Sequence, residues 1–284
     1  MLLIADSGST KADWMLADKG KVTGEFSTMG FNPFFHDENV VLPALHACQP
    51  LMNIRDGVKQ LKFYGAGCSS DDRNEIIASS LRKFFTNAEV LVDHDVLGSA
   101  IATCGDEKGI ACIVGTGSNS CYYDGAKVYH NNYGLGYILG DEGSGSYFGK
   151  LLLTRYLYEQ LPADLVADFD QEFGKMNKDF IINRVYHGED SNVWLASFAR
   201  FLTQRKEHAW VQSVAYKGMG EFLDLYVIHY ADYKNLPVHF VGSVAFFLED
   251  ILRKAGADRD INIGRILKQP INGMMDYFIA KGLS

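Results

Sequence analysis

The chain contains the same short arrangement twice: a buried strand, a turn of small residues and a second strand. In the first copy, the apolar segment Leu2–Ala5 leads into the turn Asp6–Lys11, and Ala12–Leu16 alternates like a strand. In the second copy, the branched run Ile110–Val114 leads into the turn 115–119 (G-T-G-S-N) and a further strand. Two such copies in one chain predict a duplicated fold unit.

Both turns are suited to binding an anion. A tight turn between two antiparallel strands leaves several backbone N–H groups facing one spot, and phosphate is the usual ligand of such a concavity. Neither turn has the spacing of a Walker loop or of a Rossmann fingerprint. An ordinary hairpin turn is the alternative for either copy taken alone. The residues of the two turns that are predicted to contact phosphate are Ser7, Gly8, Ser9, Thr10, Lys11, Gly115, Thr116 and Gly117.

Composition narrows the class of protein. A chain of 284 residues with 47% hydrophobic content can build two domains. A formal net charge of -8 argues against a nucleic-acid groove or an anionic membrane surface. The N-terminal segment lacks the basic region of a signal peptide, so a cytoplasmic protein is expected. Five cysteines without C-x-x-C spacing predict reduced, mostly buried thiols.

Two acids follow the strand predicted at Glu89–Val92. Ligands of open α/β sheets bind beyond the carboxyl ends of the strands, and Asp93 and Asp95 fall there. Asp95 also opens a helix of small residues, so a plain N-cap is its alternative role. His94 lies between the two acids, but a strand directs it away from both, and we expect no metal on it.

Two further segments are candidates for binding a polar ligand. An aromatic loop, residues 29–35 (M-G-F-N-P-F-F), holds the single amide Asn32, which can both donate and accept hydrogen bonds. Burial of its aromatic residues in the core is the alternative reading of that loop. A glycine-rich stretch, residues 133–146, surrounds the adjacent acids Asp141 and Glu142, and so much glycine indicates close approach of backbone to a ligand.

The remaining pattern predicts a long helical region followed by one more α/β segment. Residues 161–232 are read as nearly all helix, and Val238–Val241 as a strand that ends in Gly242-Ser243. The division that follows is an N-terminal domain of residues 1–105 and a C-terminal domain of residues 106–284. The fold class expected is α/β, with mixed sheets flanked by helices.

Taken together, these motifs resemble those of the actin, hexokinase and Hsp70 superfamily, and within it the BadF/BadG/BcrA/BcrD ATPase family, which includes amino-sugar kinases. The turns at 6–11 and 115–119 resemble the two phosphate motifs, and D-x-x-G-S-A at 95–100 resembles the catalytic-base motif. G-D-E-G-S at 140–144 is similar to the sugar-binding motif, and Gly242-Ser243 to the adenosine motif. Leu135 stands where such kinases commonly have tryptophan, and Ser7 where the first motif usually has glycine.

The resemblance implies a two-domain, ribonuclease H-like ATPase fold with a cleft between the domains, and transfer of the ATP γ-phosphate to the 6-hydroxyl of N-acetylglucosamine or a close relative. In this reading Asp95 is the catalytic base and Asp6 orients Mg²⁺. Gly220, Gly242 and Ser243 join the two turns in binding ATP. The residues assigned to the amino sugar are Asn32, Ser118, Asn119, Gly134, Leu135, Gly136 and Asp141.

Two rival functions share this fold. One is the ATPase activator of a 2-hydroxyacyl-CoA dehydratase, which holds an iron–sulfur cluster at a dimer interface through cysteines. The other is a nucleotide-gated binding module, which needs no base and no substrate hydroxyl. The sequence leaves open the amino sugar, with N-acetylmuramic acid and glucosamine as alternatives, and also the oligomeric state, for which a homodimer is one arrangement it allows.

Overall fold

The computed structural model describes residues 1–8, 10–130, 134–188 and 190–283, and it contains two five-stranded mixed sheets flanked by helices. The strands are β1 Leu2–Ser7, β2 Lys11–Asp18, β3 Lys21–Met29, β4 Gln60–Gly65, β5 Glu89–His94, β6 Gly109–Val114, β7 Ser118–Tyr123, β8 Val128–His130, β9 Val238–Val241 and β10 Ile263–Leu267. The helices are α1 Glu38–Ala47, α2 Gln49–Ile54, α3 Asp71–Phe84, α4 Asp95–Cys104, α5 Gly136–Leu139, α6 Gly145–Leu157, α7 Ala163–Phe173, α8 Lys178–His187, α9 Ser191–Ser197, α10 Ala199–Gln204, α11 Ala209–Tyr226, α12 Ser243–Phe247, α13 Glu249–Ala257 and α14 Ile271–Ala280.

The chain forms two compact units. The first comprises Met1–Glu107, Asp124–Val128 and Gln269–Ser284, and the second comprises Lys108–Tyr123 and Tyr129–Lys268. Helix α14 therefore belongs with the first unit, although it follows the whole second unit in the chain. The functional division at residues 105 and 106 stays a prediction.

The two sheets repeat one topology. The strand order is β3-β2-β1-β4-β5 in the first sheet and, read in the same sense, β8-β7-β6-β9-β10 in the second. In each sheet a central strand, β1 or β6, pairs antiparallel with the next strand of the chain and parallel with a later one. This repeat agrees with the duplication that the two turns predict.

Each unit has its own aromatic core. In the first unit, Phe31 stacks on Phe63 with ring centroids 6.2 Å apart and meets Trp14 edge-on at 6.4 Å. In the second unit, Phe169 lies between Phe198 and Phe201, at 5.9 Å and 5.8 Å. All six of these side chains are almost completely buried, so each sheet is stabilised by burial of apolar surface on its own helices.

Three pairs of consecutive helices are separated by a single residue. Cys48, whose backbone is extended, separates α1 from α2, and Pro50 lies in the first turn of α2. Phe198 separates α9 from α10, and Leu248 separates α12 from α13. None of the described helices is both long and apolar enough to cross a bilayer.

Helix α6 approaches helix α9 so closely that only glycine is accommodated at the contact. A Cβ atom on Gly149 would lie 1.9 Å from the Leu195 carbonyl oxygen, and backbone cannot move aside as a flexible side chain can. We therefore expect Gly149→Ala to lower the free energy of unfolding by about 3 kcal/mol or more, measured by chemical denaturation. Gly24→Ala is the matched control, because its Cβ would meet its nearest neighbour at an ordinary 3.6 Å. Equal unfolding midpoints for the two variants would contradict this account of the α6–α9 contact.

Candidate active site

Two carboxylates of the first unit lie at the carboxyl ends of β1 and β5, two parallel strands that are separated by β4. Asp6 near the end of β1 is in register with Tyr64 of β4, which is in register with Asp93 of β5. Asp95 follows two residues after Asp93 and is the first residue of α4. The sheet thus brings Asp6 and Asp95 to the edge where ligands of α/β proteins bind.

Both carboxylates are poorly hydrated. Burial, together with the smaller effects of the nearby charges of Asp95 and Asp13, raises the pKa of Asp6 from 3.8 to about 7. Burial also raises the pKa of Asp95 to about 6, although N–H groups at the start of α4, including that of Val96, stabilise its ionised form. Each side chain still reaches solvent in part. The pair therefore holds negative charge that a cation or a proton would stabilise.

The N-cap of α4 is His94. Its Nδ1 accepts a hydrogen bond from the Leu97 N–H at 3.3 Å, and its backbone is extended, as caps require. The alternative reading of Asp95 as that cap is wrong, because Asp95 already has a helical position. Its carboxylate is thus available for another role.

The first turn is closed by hydrogen bonds of its own residues. The Gly8 N–H donates to the Lys11 carbonyl at 2.9 Å, and the Lys11 ammonium pairs with Asp13 at 2.6 Å on the surface. The buried Ser7 hydroxyl accepts the Phe31 N–H at 2.9 Å. Ser7 therefore ties the loop at residues 30–36 to this turn. Thr10 is exposed, and Ser9 lies outside the described residues.

Asn32 is buried in that loop, beside the turn that follows β4. Its Oδ1 accepts the Phe34 N–H at 3.0 Å, and its carbonyl accepts the His36 N–H at 2.9 Å. A Cβ on Gly67, which has a φ of +82°, would lie 2.4 Å from Asn32 Oδ1. Glycine at 67 is thus required both by the backbone conformation and by the amide next to it.

The second turn is held by backbone contacts from two helices. The Gly145 N–H at the start of α6 donates to the Gly115 carbonyl at 2.7 Å, and the Ser146 N–H donates to the Thr116 carbonyl at 3.0 Å. Gly242, at the start of α12, has a φ of +127°, and a Cβ there would lie 2.3 Å from the Val114 carbonyl oxygen. Gly242 and the start of the second turn are therefore in direct contact.

A groove of about 570 Å³ in the second unit opens beside this turn. Its lining joins the turn to the start of α12 and to helices α7, α9 and α10: Gly115, Thr116, Gly145, Glu172, Phe173, Ala196, Ser197, Ala199, Arg200, Thr203, Ser243, Val244 and Phe247. The sequence-predicted residues Gly115, Thr116 and Ser243 are thus brought together. The groove is large enough for a drug-sized ligand.

Asp141 also contacts the second turn. Its Oδ1 accepts the Ser118 N–H at 3.2 Å, and a Cβ on Gly117 would lie 2.8 Å from its Oδ2. Asp141 has a left-handed backbone, with a φ of +61°. Burial raises its pKa, while the Ser118 N–H and the Lys150 ammonium favour the ionised form. Strain and desolvation together are typical of functional positions.

The other residues predicted to bind substrate lie close to Asp141 in the chain or in space. Asn119 Oδ1 would be 3.4 Å from a Cβ on Gly134, so these two residues are neighbours. Leu135 and Gly136 are exposed, and Gly136 is the first residue of α5. Gly220 lies elsewhere, buried in α11 beneath the Arg259 guanidinium.

Sequence reasoning missed the groove residues of the helical region. Glu172, Phe173, Arg200 and Thr203 come from helices that read as ordinary core or surface, and their pattern carries no sign of a ligand. Phe247 is 44% exposed, five residues after Gly242. The position of Phe247, an aromatic residue about one helical turn after Gly242-Ser243, is the sequence feature that could have identified it as a groove residue.

No group of three or more His, Cys, Asp or Glu side chains that could hold a metal is found among the described residues. Asp6 and Asp95 are nevertheless suited to Mg²⁺, which binds proteins through one or two carboxylates and keeps several waters. Their carboxylate oxygens are hard donors, and their mutual repulsion would be relieved by a cation.

The whole chain is similar to solved structures. It shares 39% identity and a TM-score of 0.94 with a candidate N-acetylglucosamine kinase from Porphyromonas gingivalis, and the match covers 100% of both chains. A candidate N-acetylglucosamine kinase from Chromobacterium violaceum is 17% identical, with a TM-score of 0.70 and coverage of 97% and 98%. A ROK family glucokinase from Streptomyces griseus, solved with glucose and AMPPNP, is 14% identical, with a TM-score of 0.57 and coverage of 97% of each chain. No protein-family model and no curated sequence matches the chain.

The fold and these similarities define the chain as a phosphotransferase with the actin-like fold of sugar kinases, which confirms the predicted fold class. The chain belongs to the same family as the Porphyromonas gingivalis protein.

The raised pKa of Asp6 predicts how stability changes with pH. In the unfolded chain an aspartate ionises near pH 4, whereas Asp6 in the folded protein holds its proton to about pH 7. The free energy of unfolding therefore falls between these values as the pH rises. Asp6→Asn, which has no proton to lose, should be more stable than the wild type at pH 8 without divalent cations and should lose this advantage at pH 4.

Denaturant unfolding at both pH values measures this effect. Asp18→Asn is the matched control, because it makes the same change at the far end of β2 and should shift the midpoint equally at both pH values. A variant of Asp6 that is less stable than the wild type at pH 8 would show that its charge is not disfavoured in the fold.

Proposed function

We propose that the protein is an ATP-dependent amino-sugar kinase that transfers the γ-phosphate to the 6-hydroxyl of N-acetylglucosamine or a close relative. The observation that carries this proposal is the pair of desolvated carboxylates, Asp6 and Asp95, at the carboxyl ends of β1 and β5. The 39% identity along the whole chain with a candidate N-acetylglucosamine kinase supports the same substrate class.

Asp95 is the catalytic base of this proposal. With a pKa of about 6 it is mostly ionised at neutral pH, and it is a stronger base than an exposed aspartate. It would accept the proton of the sugar hydroxyl as the phosphoryl group is transferred. A moderately basic carboxylate suffices, because phosphoryl transfer depends mainly on positioning and on neutralising charge.

Asp6 is assigned to Mg²⁺, which supplies charge neutralisation on the phosphates when it is bound. Its side chain would hold the ion, directly or through water. Because a proton competes for the same carboxylate, with a pKa of about 7, binding of the ion should strengthen as the pH rises toward that value and level off above it.

ATP is assigned to the second turn and to the groove beside it. The N–H groups of residues 115–117 would bind phosphate oxygens, and the first turn is assigned to phosphate as well. Phe173 and Phe247 supply apolar surface for a base, while Ser243 and Thr203 supply hydroxyls for the ribose.

The amino sugar is assigned to Asn32 and, in the second unit, to Ser118, Asn119, residues 134–136 and Asp141. Amide and carboxylate groups at fixed positions can recognise hydroxyls and an acetamide, and they discriminate against analogues that leave them unpaired. Asp141 and Asn32 are both held by backbone N–H groups, so neither must be ordered when a ligand arrives.

Membership of the BadF/BadG/BcrA/BcrD family and a homodimer are parts of the proposal that rest on the resemblance, and a cytoplasmic location is a part that rests on the character of the N-terminal segment. The dehydratase activator is less well supported, because four of the five cysteines are buried. A cluster at a dimer interface would need exposed cysteines. A nucleotide-gated binding module is also less well supported, because it needs no base and therefore gives no reason to bury the Asp95 carboxylate, which costs free energy.

We expect Asp95→Asn to lower kcat by about 10²- to 10⁴-fold, since this is the usual contribution of a positioned base. Binding of ATP and sugar should be retained, because asparagine keeps the shape and can still accept the N–H groups at the start of α4. A coupled assay with N-acetylglucosamine, N-acetylmuramic acid and glucosamine measures the rates. Asp93→Asn is the matched control, two residues earlier on β5. A rate within about threefold of the wild type would remove Asp95 from the chemistry.

Asp141→Asn should raise the KM for the sugar far more than the KM for ATP. Asparagine tolerates the left-handed backbone and can accept the Ser118 N–H, so the change removes charge without adding strain. Steady-state kinetics with each substrate varied in turn measures both constants. A larger effect on the KM for ATP would instead place Asp141 beside the metal or the phosphates.

A further inference from the structure

Phe34 is an exposed aromatic residue held in a fixed position. Its side chain is 62% exposed, and a Phe at this exposure costs free energy that a loop could avoid with a polar residue. Its N–H is bound by Asn32 Oδ1 at 3.0 Å, and its neighbours Phe35 and His36 donate their N–H groups to the Asn32 carbonyl at 3.0 Å and 2.9 Å. Phe34 is therefore positioned by the amide that we assign to the sugar.

The ring is supported by two contacts. The Arg73 guanidinium lies over the ring, with its Cζ 4.7 Å from the centroid, and Arg73 is itself fixed by a hydrogen bond of 2.9 Å to Ser70 Oγ. The ring edge is next to Gly67, since a Cβ there would lie 3.0 Å from Phe34 Cδ2. Such support lowers the entropy that the ring would lose on binding a ligand.

The Phe34 ring is also connected to the candidate active site of the same unit, through the short segment 65–68. Cys68, which follows Gly67, is close enough to Asp95 and Asp93 for their charges to raise its pKa. The Ala66 N–H donates to the Ser7 carbonyl at 2.7 Å. The short segment 65–68 thus connects the phosphate turn, the carboxylates and the Phe34 ring.

We propose that Phe34 is a specificity-determining residue that stacks on the apolar C–H face of the acceptor sugar, while Asn32 binds the hydroxyls at its rim. A pyranose has one face of polarised C–H groups, which are attracted to the negative face of an aromatic ring. This inference rests on the proposed kinase function. It assigns to the acceptor a contact that none of the sequence motifs indicates.

The test compares four variants in the coupled assay. Phe34→Ala should raise the KM for N-acetylglucosamine roughly tenfold, as loss of the apolar contact predicts, and leave the KM for ATP unchanged. Phe34→Tyr should restore most of the affinity because it keeps the ring, whereas Phe34→Leu should not. Phe35→Ala is the matched control: this neighbouring Phe is 75% exposed, and its removal should change neither constant.

The outcomes separate the inference from the proposed function. If the wild type phosphorylates no amino sugar, the kinase function fails and the inference fails with it. If the wild type is active but Phe34→Ala has an unchanged KM for the sugar, only the inference is overturned. It is also overturned if Phe34→Ala raises the KM for ATP as much as the KM for the sugar. A third contradicting outcome is a marked fall in the melting temperature of Phe34→Ala together with a wild-type KM for the sugar in Phe34→Leu, because Phe34→Leu preserves apolar volume but has no ring.

Discussion

Desolvation of two like charges at one sheet edge is the constraint on which the candidate site depends. Burial raises the pKa of both Asp6 and Asp95, and the charge of Asp95 adds to the cost of ionising Asp6. The parallel pairing of β1, β4 and β5 sets this arrangement, because it aligns the strand ends in register. A site of this kind stores unfavourable electrostatic energy until a cation, a proton or a reacting hydroxyl releases it.

In the second unit, the second turn of the candidate site is held in place by close backbone contacts. Gly242 touches the strand before the turn, and the first N–H groups of α6 hold the carbonyls of the turn itself. Further from the turn, Arg205 binds Asp168 at 2.7 Å and Glu172 at 3.1 Å and lies 3.8 Å above the Phe201 ring. This network fixes Glu172 at the wall of the groove. The turn and the groove are thus supported by contacts that leave little room for rearrangement.

The sequence predicts those parts of the protein whose causes are local. Strands on either side of a glycine turn follow from alternation, and Asp95 at a strand end follows from the order of elements. The break of a helix at Phe198 and the groove wall at Arg200 follow from tertiary packing, which no local pattern encodes. Ser7 is a further example. The sequence does not explain why serine replaces the usual glycine at position 7. The structure does, because the Ser7 hydroxyl accepts a hydrogen bond from the N–H of Phe31, which is distant in the chain.

The position of α14 has a consequence for how the protein is made. This helix packs on α4, β1 and β2, with Phe278 stacked on Tyr64 and Met274 beside Gly98. A ribosome releases residues 1–107 first, then the entire second unit, and only afterwards α14. The surface of the first unit that α14 covers is therefore exposed until the last residues are released, and exposed apolar surface favours aggregation during that interval.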